Sequence, residues 1–197
     1  MSTPEFYDEV FSETPHYQGP PEDSPYYILW KGILDTLMKG KLRILDAGCG
    51  PGQFAELCVA AGHEYIGLDW SSKAIELAEA RNLDIELHNV DIEKNPEILQ
   101  TFSYDLITFI EFMEHVELDR EVLDSVLPYK QVILTVPNFP ARTHFRQFKS
   151  LEHVTQRYGP FLNMTNRMIF AGVSSRRKRN LVFVLKGIRR GRGGAGG

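Results

Sequence analysis

From residue 42 onward, short apolar runs with strand character alternate with helical stretches in units of about 25 residues, and this alternation limits the fold more than any other feature. The runs are LRILDA (42–47), EYIGLD (64–69), DIELHNV (84–90), DLITFI (105–110) and QVILTV (131–136). Helical spacing fills 53–61 up to Gly62, 72–81 after Ser71-Ser72, a short stretch near 96–101, and 114–127. The runs at 105–110 and 131–136 are apolar on both faces, as parallel strands covered by helices are. The pattern predicts an α/β, Rossmann-like, doubly wound sheet. Right-handed crossovers then bring the strands' C-terminal ends to one rim, where ligands bind.

The flanks read differently. Residues 1–24 hold four prolines and little apolar periodicity, which predicts an irregular N-terminal arm or lid, with Phe6, Tyr7, Phe11 and Tyr17 available for docking. Ser24-Pro25 looks like an N-cap followed by proline at the first helical position, and Tyr26, Leu29, Trp30, Ile33 and Leu37 continue at helical spacing to Gly40. Residues 140–158 look helical but irregular. RMIFAGV (167–173), SSRRKRN (174–180) and LVFVLKG (181–187) then read as a hairpin closing the sheet, its last strand antiparallel. The expected units are the arm at 1–24, one domain at 25–187, and a basic, glycine-rich flexible tail at 188–197.

At 197 residues the chain suffices for one domain with a sizeable core. Two cysteines, Cys49 and Cys58, exclude a disulfide framework and a four-Cys zinc site. No apolar run reaches the ~18 residues of a membrane helix, and MSTPEFYDEV lacks signal-peptide features, so a reduced, cytoplasmic protein is expected. The net charge of −4 conceals a gradient: residues 1–30 carry six acids and no Lys or Arg, whereas 153–197 carry ten Lys or Arg and no acid. Such asymmetry suits a polyanion or an acidic substrate near the C-terminal elements, or solvated charge without a partner.

The central motif is ILDAGCGPGQF (44–54), between the first strand and the next helix. A dinucleotide fingerprint G-x-G-x-x-G would place its third glycine at 53, where this chain has Gln53. Asp46 lies two residues before Gly48. A carboxylate there repels a pyrophosphate and suits a cationic amino-acid ligand, so the loop favours a nucleoside with a positively charged methionine part. Asp69 ends the second strand, where an acid can accept from both ribose hydroxyls. Trp70 follows it as a stacking face for adenine, and Asp91 after the third strand can take the adenine amino group.

With these residues in place the sequence resembles the class I S-adenosylmethionine-dependent methyltransferases over residues 25–187. ILDAGCGPGQF is similar to that family's first motif, YIGLDWS to its second, NVDIE to its third and YDLITFIEFMEHV to its fourth. The resemblance implies a seven-stranded sheet of order 3-2-1-4-5-7-6 with the last strand antiparallel. It also implies S-adenosylmethionine as cofactor. Asp46, Gly48, Gly50 and Gln53 would surround the methionine part, Asp69 the ribose, Trp70, Asp91 and Ile92 the adenine, and Glu111 the sulfonium.

The run Glu111-Phe112-Met113-Glu114-His115 is nearest to the ubiquinone-biosynthesis O-methyltransferases and is also similar to the small-RNA 2′-O-methyltransferases. In both groups two Glu and two His hold a divalent ion that polarises the acceptor hydroxyl. Carried over, the ligands are Glu111, Glu114, His115 and His153, with His144 an equal candidate for the fourth. The alternative is metal-free: Glu111 touches cofactor or acceptor and His115 serves as base, while acids in the first helical turn merely suit the helix dipole. The residues expected to be catalytic are His115 and Glu111, with no metal required.

Arg142, Arg146, Lys149 and the 174–180 turn would border the acceptor entrance. The expected function is methyl transfer to O or N of a small anionic metabolite or glycan. An RNA 2′-O-methyltransferase and a non-catalytic cofactor-binding subunit are the alternatives. RNA is the less favoured partner, since 174–180 lacks stacking aromatics.

Overall fold

The computed structural model of the protein describes residues 3–171 and 180–191. Within them, strands β1 (Arg43–Ala47), β2 (Glu64–Asp69), β3 (Glu86–Asn89), β4 (Leu106–Phe109), β5 (Gln131–Pro137), β6 (Leu162–Ala171) and β7 (Leu181–Arg189) form one sheet of order β3-β2-β1-β4-β5-β7-β6. Strands β1 to β5 are mutually parallel, and β7 runs antiparallel to both β5 and β6. The fold is the α/β, Rossmann-like sheet expected from the alternation, with its last strand reversed.

Helices α1 (Pro4–Glu13), α2 (Tyr27–Leu37), α3 (Gln53–Ala60), α4 (Ser72–Glu79), α5 (Asp119–Asp124) and α6 (Leu151–Tyr158) cover the sheet and its rim. Successive strand residues point to opposite faces, which divides the core in two. Leu45, Ile107, Val132, Leu134, Phe183 and Leu185 pack with Val122 and Val154 of α5 and α6. Their neighbours Ile44, Leu106, Ile133, Val182 and Val184 pack with Leu29 and Ile33 of α2 and Phe54 of α3. No helix among the described residues is long and apolar enough to cross a membrane.

Several elements depart from expectation. The segment read as irregular begins with a ten-residue helix. Thr3 caps it, accepting from Phe6 N at 3.3 Å, and Pro4 opens it, where proline costs nothing. The remaining prolines, Pro15, Pro20 and Pro21, lie beyond its end. The helix expected over 114–127 divides into a 3₁₀ turn (Met113–His115) and α5. Arg146 captures the carbonyls between them, donating to Met113 O (2.6 Å), Glu117 O (2.8 Å) and Val116 O, which removes them from any helical ladder. Strand β6 starts five residues before the expected 167, with a bulge between Met164 and Asn166. Strand β7 continues into the segment read as tail. Arg189, its last residue, is buried and donates to Asp124 O at 3.0 Å and Leu123 O at 3.2 Å. Most of the 174–180 turn and the glycine-rich end at 192–197 lie outside the described residues.

Under the rim, the buried Asp119 carboxylate accepts from Arg157 Nε (2.7 Å) and Nη2 (2.6 Å) and from Tyr158 Oη (2.7 Å), with Arg146 Nη1 at 3.4 Å. Asp119→Ala leaves the Arg157 guanidinium and the buried Tyr158 hydroxyl without this acceptor and removes the ion pair to Arg146, which keeps its carbonyl partners. The expected loss is about 3 kcal/mol of unfolding free energy, the low end for a broken buried pair because Arg157 is partly exposed. Urea denaturation measures it, and a loss under about 1 kcal/mol would mean that the network is dispensable.

Candidate active site

Strand β1 delivers the chain to a loop, residues 48–52, that returns into α3. Gly48 and Gly52 have φ of +80° and +76°. A Cβ on Gly48 would lie 2.4 Å from the Phe112 ring, so both conformation and close approach require glycine there. Gly48 N and Cys49 N donate to Leu68 O at 2.8 and 3.0 Å, stitching the loop to β2. Above it lies a cavity of about 460 Å³. The expected residues Asp46, Gly48, Gly50, Gln53, Asp69, Trp70, Asp91, Ile92, Glu111 and His115 all line it.

The strand-end acids are tightly held. Asp46 Oδ1 accepts from Thr108 Oγ1 at 2.6 Å and Oδ2 from Tyr65 Oη, and burial pushes its pKa up to about 6. Asp69 Oδ1 accepts from Ser71 N and Oδ2 from Gly50 N, both at 2.9 Å, and burial again raises its pKa to about 6. Each carboxylate oxygen has a further lone pair to offer a ligand. Asp91, half-buried, accepts from Glu93 N at 3.1 Å and Lys94 N at 3.2 Å. The Gln53 amide reaches to the N-terminal segment, with His16 O, Pro20 O and Gly19 O at 2.7, 3.1 and 3.2 Å.

Helix α1 lies across the cavity. Tyr7 packs 5.8 Å from Trp70, and Phe6, Val10 and Phe11 complete its inward face. Asp8 ties α1 to the start of α4. Its Oδ1 accepts from Ser71 Oγ (2.5 Å) and Lys73 N (3.0 Å), its Oδ2 from Ser72 Oγ (3.1 Å). Arg81 grips the same segment through Gly19 O at 3.0 Å and Tyr17 O at 3.3 Å.

The opposite wall carries the second acidic group. Glu111 has φ +52°, a strained value for a residue with a side chain. Its N donates to Thr135 Oγ1 at 2.8 Å, which donates in turn to Glu111 Oε1 at 2.9 Å; burial pushes the pKa up to about 7. Glu114 is buried, and neither of its oxygens has a hydrogen-bond partner among the described residues. Burial and the nearby Glu111 hold its pKa well above the usual range. His115 Nδ1 lies 2.9 Å from Tyr7 Oη and 3.3 Å from Thr143 O, while Nε2 lies 3.8 Å from Glu114 Oε1. Burial depresses the His115 pKa to about 4, so the ring is neutral near pH 7. The His144 ring stands 4.7 Å from it, its buried Nδ1 likewise without a partner. One ligand atom from each of Glu114, His115 and His144 falls within 4.8 Å of the others. His153 lies apart, exposed on α6 and packed 5.4 Å from Phe148.

The basic residues after β5 separate. Arg142 lines the cavity, Arg146 is engaged with carbonyls and Asp119, and Lys149 is exposed. Against Arg142 stand Asp46, Asp69, Asp91, Glu93, Glu111 and Glu114 on the same walls. A chamber of this composition complements a cation.

A family model described as a methyltransferase domain matches residues 11–159. The chain belongs to this methyltransferase family. It is a class I, S-adenosylmethionine-dependent methyltransferase in fold and motifs, and the acidic chamber suits a sulfonium cofactor carrying an ammonium group. It is 31% identical over 97 residues to the ubiquinone biosynthesis O-methyltransferase of Bordetella avium, covering 47% of this chain and 39% of that protein. To the Ralstonia nicotianae protein of the same name it is 32% identical over 120 residues, covering 55% and 49%. The chain thus spans less than half the length of these relatives. Among solved structures, the N-methyltransferase NodS of Bradyrhizobium japonicum, in complex with S-adenosyl-L-homocysteine, is similar with a TM-score of 0.63 at 21% identity, covering 84% of this chain and 89% of that one. The S-adenosylmethionine-dependent methyltransferase of Mesorhizobium loti gives 0.63 at 17% identity, covering 86% and 100%. These likenesses establish the shared fold.

The walls of the cavity also rest on side chains to which the sequence motifs give no role. Tyr65, Thr108 and Thr135 hold its acids from neighbouring strands, and Asp8 fastens α1. Raised carboxyl pKa values have a direct consequence. Below about pH 4 Asp46 is protonated in native and unfolded chains alike, whereas above its folded value of about 6 the native state carries the cost of a buried charge. Wild-type stability is therefore expected to fall relative to Asp46→Asn as pH rises from about 4 to about 7. The difference in Tm between the two proteins across that window measures this, and a constant difference would mean that Asp46 does not titrate there.

Proposed function

We propose that this methyltransferase domain moves the methyl group of S-adenosylmethionine to a hydroxyl oxygen of a small acceptor that carries an anionic group. The cofactor half of this reading rests on the carboxylate-walled chamber joining the glycine loop to the Glu111–His115 wall, and the anionic group of the acceptor rests on Arg142 in its lining. S-adenosylmethionine, when bound, supplies a methyl group on a positively charged sulfur. Asp46 then faces the ammonium group, Gly48 and Gly50 let the methionine part approach the backbone, and Gln53 acts at one remove by holding residues 16–20 in place. Asp69 accepts from the ribose hydroxyls. Trp70, Asp91 and Ile92 frame the adenine, and Glu111 sets its carboxyl near the sulfur. Residues 3–24 close over this end as a lid, excluding water from an in-line displacement that depends mainly on alignment. Arg142 meets the acceptor's anionic group, and His115 faces its hydroxyl.

A second reading gives the far wall a divalent cation. It is favoured by the unpartnered atoms of Glu114 and His144 beside a neutral His115, a donor set of one carboxylate and two imidazoles. A cation held there would polarise the acceptor hydroxyl. The low His115 pKa points the same way, because so weak a base removes a hydroxyl proton poorly near pH 7.

Labelled S-adenosylmethionine offered to separated small-molecule and RNA extracts, with and without EDTA, tests these roles. Label is expected in the small-molecule pool; its loss with EDTA would support the cation reading, and its survival would remove that reading and leave the cation-free one. Label in RNA, falling steeply with salt, would replace the acceptor class, and transfer to neither pool would favour a binding subunit. S-adenosylhomocysteine is expected to raise the Tm where NAD does not. Deleting residues 2–23 should weaken S-adenosylhomocysteine binding about tenfold or more by calorimetry; unchanged affinity would remove the lid.

A further inference from the structure

On the cofactor reading above, we propose that Asp8 is a latch residue. Of the N-terminal segment only α1 moves, pivoting at its C-terminal end, and Asp8 sets how fast cofactor and product pass beneath it. Residues 15–24 stay in place as a fixed wall.

The two parts are attached on different terms. Residues 15–24 are gripped from the body of the domain. The buried Gln53 amide donates to His16 O, Gly19 O and Pro20 O. Arg81, itself paired with Glu56 at 2.7 Å, donates to Tyr17 O, Gly19 O and Pro51 O. Pro21 and Ser24 are buried as well. Helix α1 has ten residues and buries one, Phe11, whose ring packs 4.9 Å from Tyr17. Gln18 Nε2 donates to Ser12 O at 2.7 Å and ties down the same end of the helix. Toward the other end its side-chain hydrogen bonds to the domain, among the described residues, are those of Tyr7 and Asp8.

Asp8 carries most of that attachment. Its carboxylate accepts from Ser71 Oγ, Ser72 Oγ and Lys73 N at the start of α4, and hydrogen bonds to a charged acceptor are the stronger kind. These partners belong to the segment that follows β2, where Ser71 N donates to Asp69 and Trp70 packs against Tyr7. The end of α1 that can swing therefore covers the nucleoside part of the cofactor, and a ligand held by Asp69 and Trp70 passes in and out beneath it. Asp8 itself does not line the cavity. A latch that the ligand does not touch holds the docked helix equally with and without ligand, so its loss speeds entry and exit alike.

Stopped-flow mixing of the full chain with S-adenosylhomocysteine, read by tryptophan fluorescence, compares the wild type with Asp8→Ala. A cooperative thermal melt confirms that the variant is folded. Association and dissociation are both expected to quicken about tenfold in Asp8→Ala. Unchanged rates, or a faster dissociation alone, would overturn the latch. A second measurement needs no ligand. Cys49 and Cys58 are buried, so spin labels go to exposed positions, Glu9→Cys on α1 or Glu22→Cys in the fixed segment, each paired with Glu79→Cys at the end of α4. Adding Asp8→Ala should lengthen and broaden the distance from 9 to 79 and leave that from 22 to 79 as it is. Broadening of both would mean that the segment moves as one body, and broadening of neither that α1 does not swing; each overturns the hinge. Failure of S-adenosylhomocysteine to bind the wild type would remove the cofactor reading and the gate with it, while the label distances decide the hinge by themselves.

Discussion

A buried carboxylate, Asp119, organises the side of the molecule where chemistry would occur. It is fixed by Arg157 and Tyr158 of α6, and it keeps the Arg146 guanidinium oriented toward the carbonyls of Met113, Val116 and Glu117. Those carbonyls belong to the turn that carries Glu114 and His115. Arg146 itself belongs to the loop that carries Arg142, Thr143 and His144, and Phe145 N donates to Glu114 O at 2.8 Å within the same junction. Two segments about thirty residues apart in sequence are thereby clasped by one ion network. An arginine suits this place because its planar fork serves several acceptors at once, which a lysine ammonium does not.

The opposite wall is built on different terms. Its acids come from consecutive strand ends and are held by nearby hydroxyls or amides: Asp46 by Tyr65 and Thr108 of the two adjacent strands, Asp69 by the amides of Gly50 in the glycine loop and Ser71 at the start of α4. These partners keep the carboxylates in place without neutralising them. The strained Glu111 backbone and the partnerless Glu114 belong to the same class of local cost. Sites that must act on a ligand commonly carry such costs, and the apolar sheet beneath offsets them.

The fold, and the gathering of the glycine loop and the strand-end acids around one cavity, were legible in the sequence because both depend on local pattern. Alternating runs specify strands and helices, and a glycine-rich turn followed by acids at successive strand ends has few meanings. The far wall was legible only in part. Glu111, Glu114 and His115 are close in sequence, but the choice between His144 and His153 as their companion stayed open, because it depends on Arg146, whose partners are backbone carbonyls that leave no trace in residue identity. Helix α1 was hidden by counting prolines without regard to position. Thr3-Pro4 is a start signal, and the next proline comes at Pro15, after the helix has ended. Arg189 misled in another way: as one of a basic cluster it resembled tail, while its side chain is buried against α5.

Strand β6 forms the longer margin of the sheet, and its bulge between Met164 and Asn166 has a bearing on association. An uninterrupted margin of ten residues would offer a row of free amides and carbonyls to any extended segment of another chain. The bulge breaks that row near its middle and increases the local twist. Asn163, Thr165, Asn166 and Arg167, all exposed, set polar side chains and a charge beside the break. The margin closest to the reversed strand is in this way a poor template for intermolecular pairing, and the sheet can end there without a covering helix.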